Sequence, residues 1–260
     1  MSPSVPEYPA GHRLLEGKTV LVTAAAGTGI GFATAKRCVE EGARVAISDV
    51  HERRLGEAAD ALAEIIGERP IAVVGDVRSE TDVARTIDAV VDGYGRLDVL
   101  VNNAGLGGTA LIVDMTDEQW TNVLDVTLTG TMRMTRAALR VMTAAGLGVI
   151  VNNASVVGWR AQEGQAHYAA AKAGVMALTR CVALEAAHHG VRVNAVAPSI
   201  AMHPFLAKVS SEALLTELSA REAFGRAAEP WEVANVIVFL ASDYSSYMTG
   251  EIVSVSSQHP

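Results

Sequence analysis

The chain has 260 residues, half of them hydrophobic and 19% charged, and 21 basic against 29 acidic side chains leave a net charge of −8. That composition lies far from the disordered class, and a chain this long buries about 70–75% of its unfolded surface, so it needs no staples to fold. The acidic balance argues against a polyanionic partner, whether nucleic acid or an anionic membrane surface. Two cysteines, Cys38 and Cys181, form no CxxC pair, and seven scattered histidines show no HExxH spacing, so neither a disulfide framework nor a metal site is expected. Residues 1–16 carry Pro3, Pro6 and Pro9 and lack an apolar centre. They read as an arm along the surface, able to lie against a neighbouring subunit, and not as a signal peptide. No apolar run is long enough to span a membrane, and the expected location is the cytoplasm.

Short β-branched runs then alternate with longer, alanine-rich amphipathic segments. Strand-like runs occupy 19–23, 44–48, 71–74, 97–101, 149–151, 191–196 and 251–255, and helical periodicity occupies 55–66, 83–94, 117–144, 168–188 and 230–241. Runs this apolar are covered on both faces, as in a parallel sheet between two helical layers. Right-handed crossovers give a doubly wound α/β domain with a seven-stranded parallel sheet. An α/β barrel is the alternative, but it calls for eight repeats. No linker-like stretch divides residues 1–260, which read as one domain. Residues 203–225 break the rhythm, with Phe205, Leu206, Val209, Leu214, Leu215 and Leu218 on one side of a helical pattern. They follow the sixth run, at the sheet end where such folds bind ligands, and read as a short helical lid over a small-molecule substrate. A plain packing helix is the other reading.

After the first run comes Thr23-Ala24-Ala25-Ala26-Gly27-Thr28-Gly29-Ile30-Gly31. Glycines here let the backbone approach a pyrophosphate, and the helix that follows aims free N–H groups and its positive end at it. Thr23, Ala25, Gly27, Thr28, Gly29, Ile30 and Gly31 are the expected contacts, although any tight strand–helix turn also uses glycine. Asp49, ending the second run, fits an acid that hydrogen-bonds the adenosine ribose and repels a 2′-phosphate, which points to NAD over NADP. Capping of the next helix is the other reading of Asp49.

Together with Asp76-Val77, Asn102-Asn103-Ala104-Gly105 and the set Ser155, Tyr168 and Lys172, this pattern resembles the short-chain dehydrogenase/reductase family over residues 15–255. The resemblance implies a Rossmann-type fold and a nicotinamide cofactor. It puts Asp76 and Val77 at the adenine, and Asn103, Ala104 and Gly105 in support of sheet and cofactor. It counts Pro198, Ser199, Ile200 and Tyr168 among the cofactor contacts, has Lys172 hold the nicotinamide ribose, and puts His203 where the family has a threonine near the carboxamide. Hydride exchange with a carbinol carbon requires a proton to leave or join the oxygen, and Tyr168 is the expected acid/base. Free tyrosine has a pKa near 10, and the Lys172 ammonium, one helical turn on, is expected to lower it together with the positive nicotinamide of the oxidised cofactor. Ser155 is expected to hold the substrate oxygen.

Departures from the family pattern also stand in the sequence. Ala24 replaces the first glycine of the turn, a conservative change if its φ stays negative. Thr127 replaces the asparagine that holds a relay water in the family, and is counted with the catalytic residues. Ser199 follows Pro198 where the family has glycine, His203 replaces a threonine, and the chain ends SVSSQHP where many members carry Asp-Gly-Gly.

The strings VTAAAGTGIG, NNASVVGWRAQ and SSQHP are similar to actinobacterial members that act on the steroid C and D rings, among them dehydrogenases of a hydroxy-methyl-oxo-indane CoA ester. That likeness implies interconversion of a ring secondary alcohol and a ketone on a bicyclic CoA thioester. Trp159, Phe205 and Leu206 would wall an apolar pocket, with Arg160, Gln162, His203 and Lys208 for polar contacts. A 3-oxoacyl-thioester reductase of the same family is the runner-up, and a catalytically silent NAD-binding regulator or scaffold the reading from another class. The alanine-rich helices 117–144 and 168–188 suit packing against copies of the chain, and the family is commonly tetrameric, so a homotetramer is expected. Tight internal packing explains the same small residues.

Overall fold

The computed structural model describes residues 5–202 and 212–257. All seven runs become strands of one parallel sheet: β1 (Thr19–Thr23), β2 (Arg44–Asp49), β3 (Ile71–Val74), β4 (Val99–Asn102), β5 (Gly148–Asn153), β6 (Val191–Pro198) and β7 (Ile252–Val255). Their order is β3-β2-β1-β4-β5-β6-β7, an open sheet with β3 and β7 as edges, which dismisses the barrel. The order reverses between β1 and β4, and that crevice at the carboxyl ends is where a doubly wound sheet takes its ligand.

The helices are α1 (Ile30–Glu40), α2 (Glu52–Ile66), α3 (Glu80–Tyr94), α4 (Asp117–Leu124), α5 (Gly130–Ala145), α6 (Ala166–Ala187), α7 (Glu212–Arg221) and α8 (Pro230–Ala241). Alternate residues of each strand point to opposite layers. Val20, Val22, Ile47 and Val101 pack with Cys38, Leu62 and Ile237 of α1, α2 and α8, whereas Leu21, Leu100 and Ile150 pack with Ile87, Met134 and Ala183 of α3, α5 and α6.

Two features differ from the sequence expectations. β5 and β6 run on past their apolar stretches. Polar residues enter the sheet through bonds to one another: Asn102 Nδ2 donates to Asn152 Oδ1 at 2.9 Å and to Thr135 Oγ1 at 3.0 Å, and Asn152 Nδ2 donates to Thr179 Oγ1 at 2.9 Å, while Asn102 Oδ1 stays without a partner. The single helix expected over 117–144 is two, joined by a π-helical turn at Asp125–Thr129. Gly130 follows that turn, and a Cβ there would lie 2.5 Å from Val77 Cγ2.

The arm, in its described part, lies along the surface of its own chain, as expected. Arg37 donates to the carbonyls of Pro9 at 2.6 Å and Ala10 at 3.0 Å, and Glu41 accepts the N–H groups of His12 at 2.8 Å and Leu14 at 3.0 Å. The Arg37–Glu41 pair is buried, and the arm's backbone supplies the partners that its charges need. Tyr8 adds an edge-on contact with Trp231 of α8 at 5.3 Å between ring centroids. His203, Phe205, Leu206, Lys208 and Val209 lie outside the described residues. Within 203–225, α7 is the described helix, and its Leu215 is buried. No helix among the described residues is long and apolar enough to cross a membrane.

Candidate active site

The loop after β1 is built from close approaches. Thr23 Oγ1 accepts the N–H groups of Asn103 and Ala104, each at 3.0 Å, and donates to the Val101 carbonyl at 3.4 Å. Its hydroxyl therefore ties β1 to β4 and is not offered to a ligand. Ala25 is likewise buried, its N–H donated to Ser48 O at 3.2 Å. Asn103 Nδ2 donates to the Ala24 carbonyl at 3.1 Å, while its Oδ1 accepts from Asn153 Nδ2 at 2.9 Å.

Ala24 carries φ +49°, in the left-handed region and not in the negative range expected. The turn needs that conformation to aim the Ala24 carbonyl at Asn103, and alanine accepts it at a cost. A Cβ on Gly31 would lie 2.3 Å from that same carbonyl and 2.5 Å from Asn103 Nδ2, so only glycine lets α1 start here. Gly27, at φ +102°, completes the turn, and Thr28 is exposed beyond it. Gly29 is the N-cap of α1 and no side chain caps the helix. The helix thus presents Ile30 and Gly31 at an open, positive N-terminus, a ready anion seat.

Asp49 closes the other side of the crevice. Its Oδ2 accepts from Ala26 N at 3.2 Å and its Oδ1 from His51 N at 2.9 Å. Burial pushes its carboxyl above the ordinary aspartate range, against the pull of the Ala26 N–H and the Arg54 charge. The N-cap of α2 is His51, so Asp49 is not the helix cap. Asp76 is gripped by Arg78, at 2.6 Å between Oδ2 and Nη2, and that hydrogen bond holds its carboxyl below the usual range. Val77 beside it packs on Gly130.

At the far side of the crevice β5 ends in Asn153, then Ser155. Ser155 is buried, accepts from Val157 N at 3.3 Å and lies 3.5 Å from the Pro198 carbonyl. It opens a short 3₁₀ turn, Val156–Gly158. A Cβ on Gly158 would stand 3.0 Å from Ala173 N, so the turn presses directly on α6. That contact brings Ser155 to the two side chains on the first turns of α6.

Lys172, 3% exposed, donates from Nζ to the Asn153 carbonyl at 2.5 Å and lies 5.6 Å from the Tyr168 ring centroid. Burial lowers the Lys172 ammonium to about 8. Burial also raises the Tyr168 phenol, and the force that lowers it is the Ser155 hydroxyl bonded to it. The expected depression by the Lys172 charge is not among these effects: desolvation raises the phenol, and the Ser155 hydroxyl is what pulls it back.

The sequence reading missed the roof of this site. In the β4–α4 loop, a Cβ on Gly105 would lie 3.5 Å from Lys172 Nζ, one on Gly107 3.7 Å from the Tyr168 ring, and one on Gly108 3.3 Å from His167 Nε2. The glycine run Gly105-Leu106-Gly107-Gly108 was the signal available. Thr127 is 0% exposed and fastens this roof: its Oγ1 accepts from Leu106 N at 2.9 Å and donates to Leu106 O at 3.1 Å. Its one proton is thereby committed to Leu106, so it keeps an acceptor lone pair but no donor for a relay water. His167, unremarked in the sequence, is buried beside Tyr168 with no partner for Nδ1.

Of the expected substrate contacts, Trp159 is 41% exposed at the end of the 3₁₀ turn, and Arg160 and Gln162 follow half-buried. His203, Phe205 and Leu206 lie outside the described residues. Pro198 ends β6; beyond it Ser199 N donates to Val255 O at 3.1 Å and the Ile200 carbonyl accepts from Ala228 N at 2.9 Å.

Comparison with known proteins bears on what this arrangement does. The family described as enoyl-(acyl carrier protein) reductase matches residues 24–257. The (5R,7aS)-5-hydroxy-7a-methyl-1-oxo-2,3,5,6,7,7a-hexahydro-1H-indene-carboxyl-CoA reductase of Mycobacterium tuberculosis is 65% identical over 256 residues, 98% of each chain. A 3-oxoacyl-[acyl-carrier-protein] reductase of Thermotoga maritima is 42% identical over 241 residues, 93% of this chain and 97% of that protein. The crystal structure of a short chain dehydrogenase from Mycobacterium smegmatis matches with a TM-score of 0.89 at 62% identity, covering 99% of each chain.

Proposed function

The chain belongs to the short-chain dehydrogenase/reductase family and is an oxidoreductase with a nicotinamide cofactor; from that premise we propose that it interconverts a ring secondary alcohol and its ketone on a steroid-derived bicyclic CoA thioester, with NAD. One observation carries the chemistry: Ser155, Tyr168 and Lys172 converge at the end of β5 under a glycine roof. The substrate rests on the 65% relative, whose name specifies such an ester.

The residues fit a dinucleotide. The uncapped start of α1 suits a pyrophosphate, Gly31 gives the close backbone approach, and Asp49 suits a ribose diol. A negative charge at Asp49 disfavours a 2′-phosphate by about 1–4 kcal/mol, hence NAD over NADP. When bound, the nicotinamide supplies or accepts the hydride. Ser155 holds the substrate oxygen in place for the exchange. Tyr168 gives its phenolic proton to a ketone oxygen in reduction, or takes the alcohol proton in oxidation. Its raised pKa keeps the phenol protonated in the free chain, the form that donates. Lys172, anchored on Asn153, holds a positive charge beside the phenolate that forms.

Trp159, Arg160 and Gln162 offer an apolar wall and a polar edge to a large acid ester. A homo-oligomer, a tetramer by the family's habit, agrees with the outward face of α6, where Leu184 is exposed. The cytoplasm is the location proposed for such an enzyme. Catalytic efficiency on the bicyclic ester against a linear 3-hydroxyacyl-CoA tests the reading. A preference for the ring supports it, and a preference for the linear ester moves the function to a 3-oxoacyl-thioester reductase. No turnover of any secondary alcohol returns the silent NAD-binding protein.

A further inference from the structure

The glycine roof has a second fastening, on the helix that carries Tyr168. Gln165 is the N-cap of α6, yet its side chain caps no N–H of that helix. Instead its Nε2 donates to the Gly108 carbonyl at 2.7 Å and to Thr109 Oγ1 at 3.2 Å. Beside it the Gly164 carbonyl accepts the N–H of Ala110 at 3.0 Å. Gly164 has φ +73°, and a Cβ there would lie 2.8 Å from Thr109 Cγ2, so loop and helix start meet at close approach. At the other end of the roof, Thr127 holds both polar groups of Leu106.

Between these fastenings lie Gly107 and Gly108. They have no side chain to bury and the largest backbone entropy to lose on ordering, so the polar bonds at the two ends fix the height of the roof. That height is close to the lowest that α6 permits. A Cβ on Gly108 would lie 3.3 Å from Nε2 of the buried His167, and one on Gly107 3.7 Å from Tyr168 Cδ2. Residues 105–109 carry no charged side chain, so the roof acts on the phenol ring by confining it.

We propose that Gln165 is a positioning residue for proton transfer: its amide holds the roof down and so keeps the Tyr168 phenol at the Ser155 hydroxyl. The inference rests on the reading of Tyr168 as the acid/base. The fastening itself is independent of that reading and has its own readout.

The test uses the full chain with two variants of similar length. Gln165→Met keeps the shape and loses the donor; Gln165→Glu also loses the donor but adds a negative charge at the start of α6, which favours the helix. Hydrogen exchange of the Ala110 amide in the ligand-free protein is expected to quicken about tenfold in both, with the Leu106 amide changed less than about threefold. With the bicyclic ester and NAD, kcat is expected to fall about tenfold in both, while KM and the affinity for NADH stay within about twofold. Heavy water is expected to slow the variants more than wild type, because proton transfer has become limiting. Unchanged exchange at Ala110 overturns the fastening. Faster exchange with unchanged kcat overturns the positioning role. So does a loss of kcat in Gln165→Met that is absent in Gln165→Glu, which assigns Gln165 to the helix start alone. Should Tyr168→Phe turn over like wild type, the acid/base reading falls and takes the positioning role with it, and the exchange arm still decides the fastening.

Discussion

The Nζ of Lys172 donates to the backbone carbonyl of Asn153 at 2.5 Å, so the cation of the site is bolted to the strand that also leads to Ser155. It is held there at a cost, since burial lowers its pKa from 10.5 to about 8. A lysine whose folded pKa is depressed carries a penalty in full below that pKa. Between pH 8 and 10.5 the unfolded chain binds the extra proton, so stability rises with pH across that window. Lys172→Met lacks this rise. The unfolding free energy of wild type is expected to gain about 1–3 kcal/mol on the variant from pH 7 to pH 10.5, read by urea denaturation at both pH values. Parallel behaviour of the two proteins would contradict the burial of a charged ammonium. Turnover of the variant is expected to drop and its pH optimum to move up.

Gly31 and Ala24 make a matched pair of tests for the loop. Gly31→Ala forces a Cβ against the Ala24 carbonyl and the Asn103 amide, backbone and a pinned side chain that cannot swing away. A loss of about 2–4 kcal/mol in stability, with weakened NADH binding, is expected from such overpacking. Ala24→Gly relieves a left-handed alanine, and the gain of up to about 1 kcal/mol is partly offset by a freer unfolded chain. Thermal unfolding and cofactor titration check both.

For cofactor choice the test is Asp49→Ala. Removing the carboxylate that accepts from Ala26 and His51 also removes the charge that repels a 2′-phosphate. The NAD-over-NADP ratio of kcat/KM is expected to fall about 10–100-fold. Arg53 pairs with Glu57 at 2.5 Å on the exposed face of α2. An unaltered ratio would remove Asp49 from the determinants.

Thr127 fastens the roof through both polar groups of Leu106. Thr127→Val leaves that part-buried N–H and carbonyl without their partner, and about 1–3 kcal/mol of stability is expected to be lost. Thr127→Ser keeps both bonds and is expected to stay within about 1 kcal/mol of wild type. Denaturation of the two variants separates a clasp from a proton relay, because a relay would change the pH–rate profile and spare the fold.

Much of this was readable in the residues, and what was not has physical causes. The sheet followed from seven apolar runs, because buried parallel strands are apolar on both faces. The ends of β4 and β5 did not, since Asn102, Asn152 and Asn153 are polar residues made acceptable by partners distant in sequence. The π turn at Asp125–Thr129 kept the helical pattern and hid the break. Ser155, Tyr168 and Lys172 were legible through the resemblance to the family, since a Tyr-xxx-Lys spacing is unspecific by itself. The roof over them was not, because the contacts of Gly105, Gly107 and Gly108 with α6 cross some sixty positions and leave no local signature. The sign of φ at Ala24 depends on Asn103, again a long-range partner.

The central claim is that Tyr168 carries the proton. Tyr168→Phe keeps the ring beneath Gly107 and removes only the hydroxyl that meets Ser155. The decisive measurement is steady-state turnover of the variant beside its affinity for NADH by fluorescence titration. Turnover is expected to fall about 10²–10⁴-fold, while NADH binds within about twofold of wild type. A phenylalanine variant that keeps turnover within about tenfold of wild type, with NADH bound normally, would contradict the account and send the proton through another group.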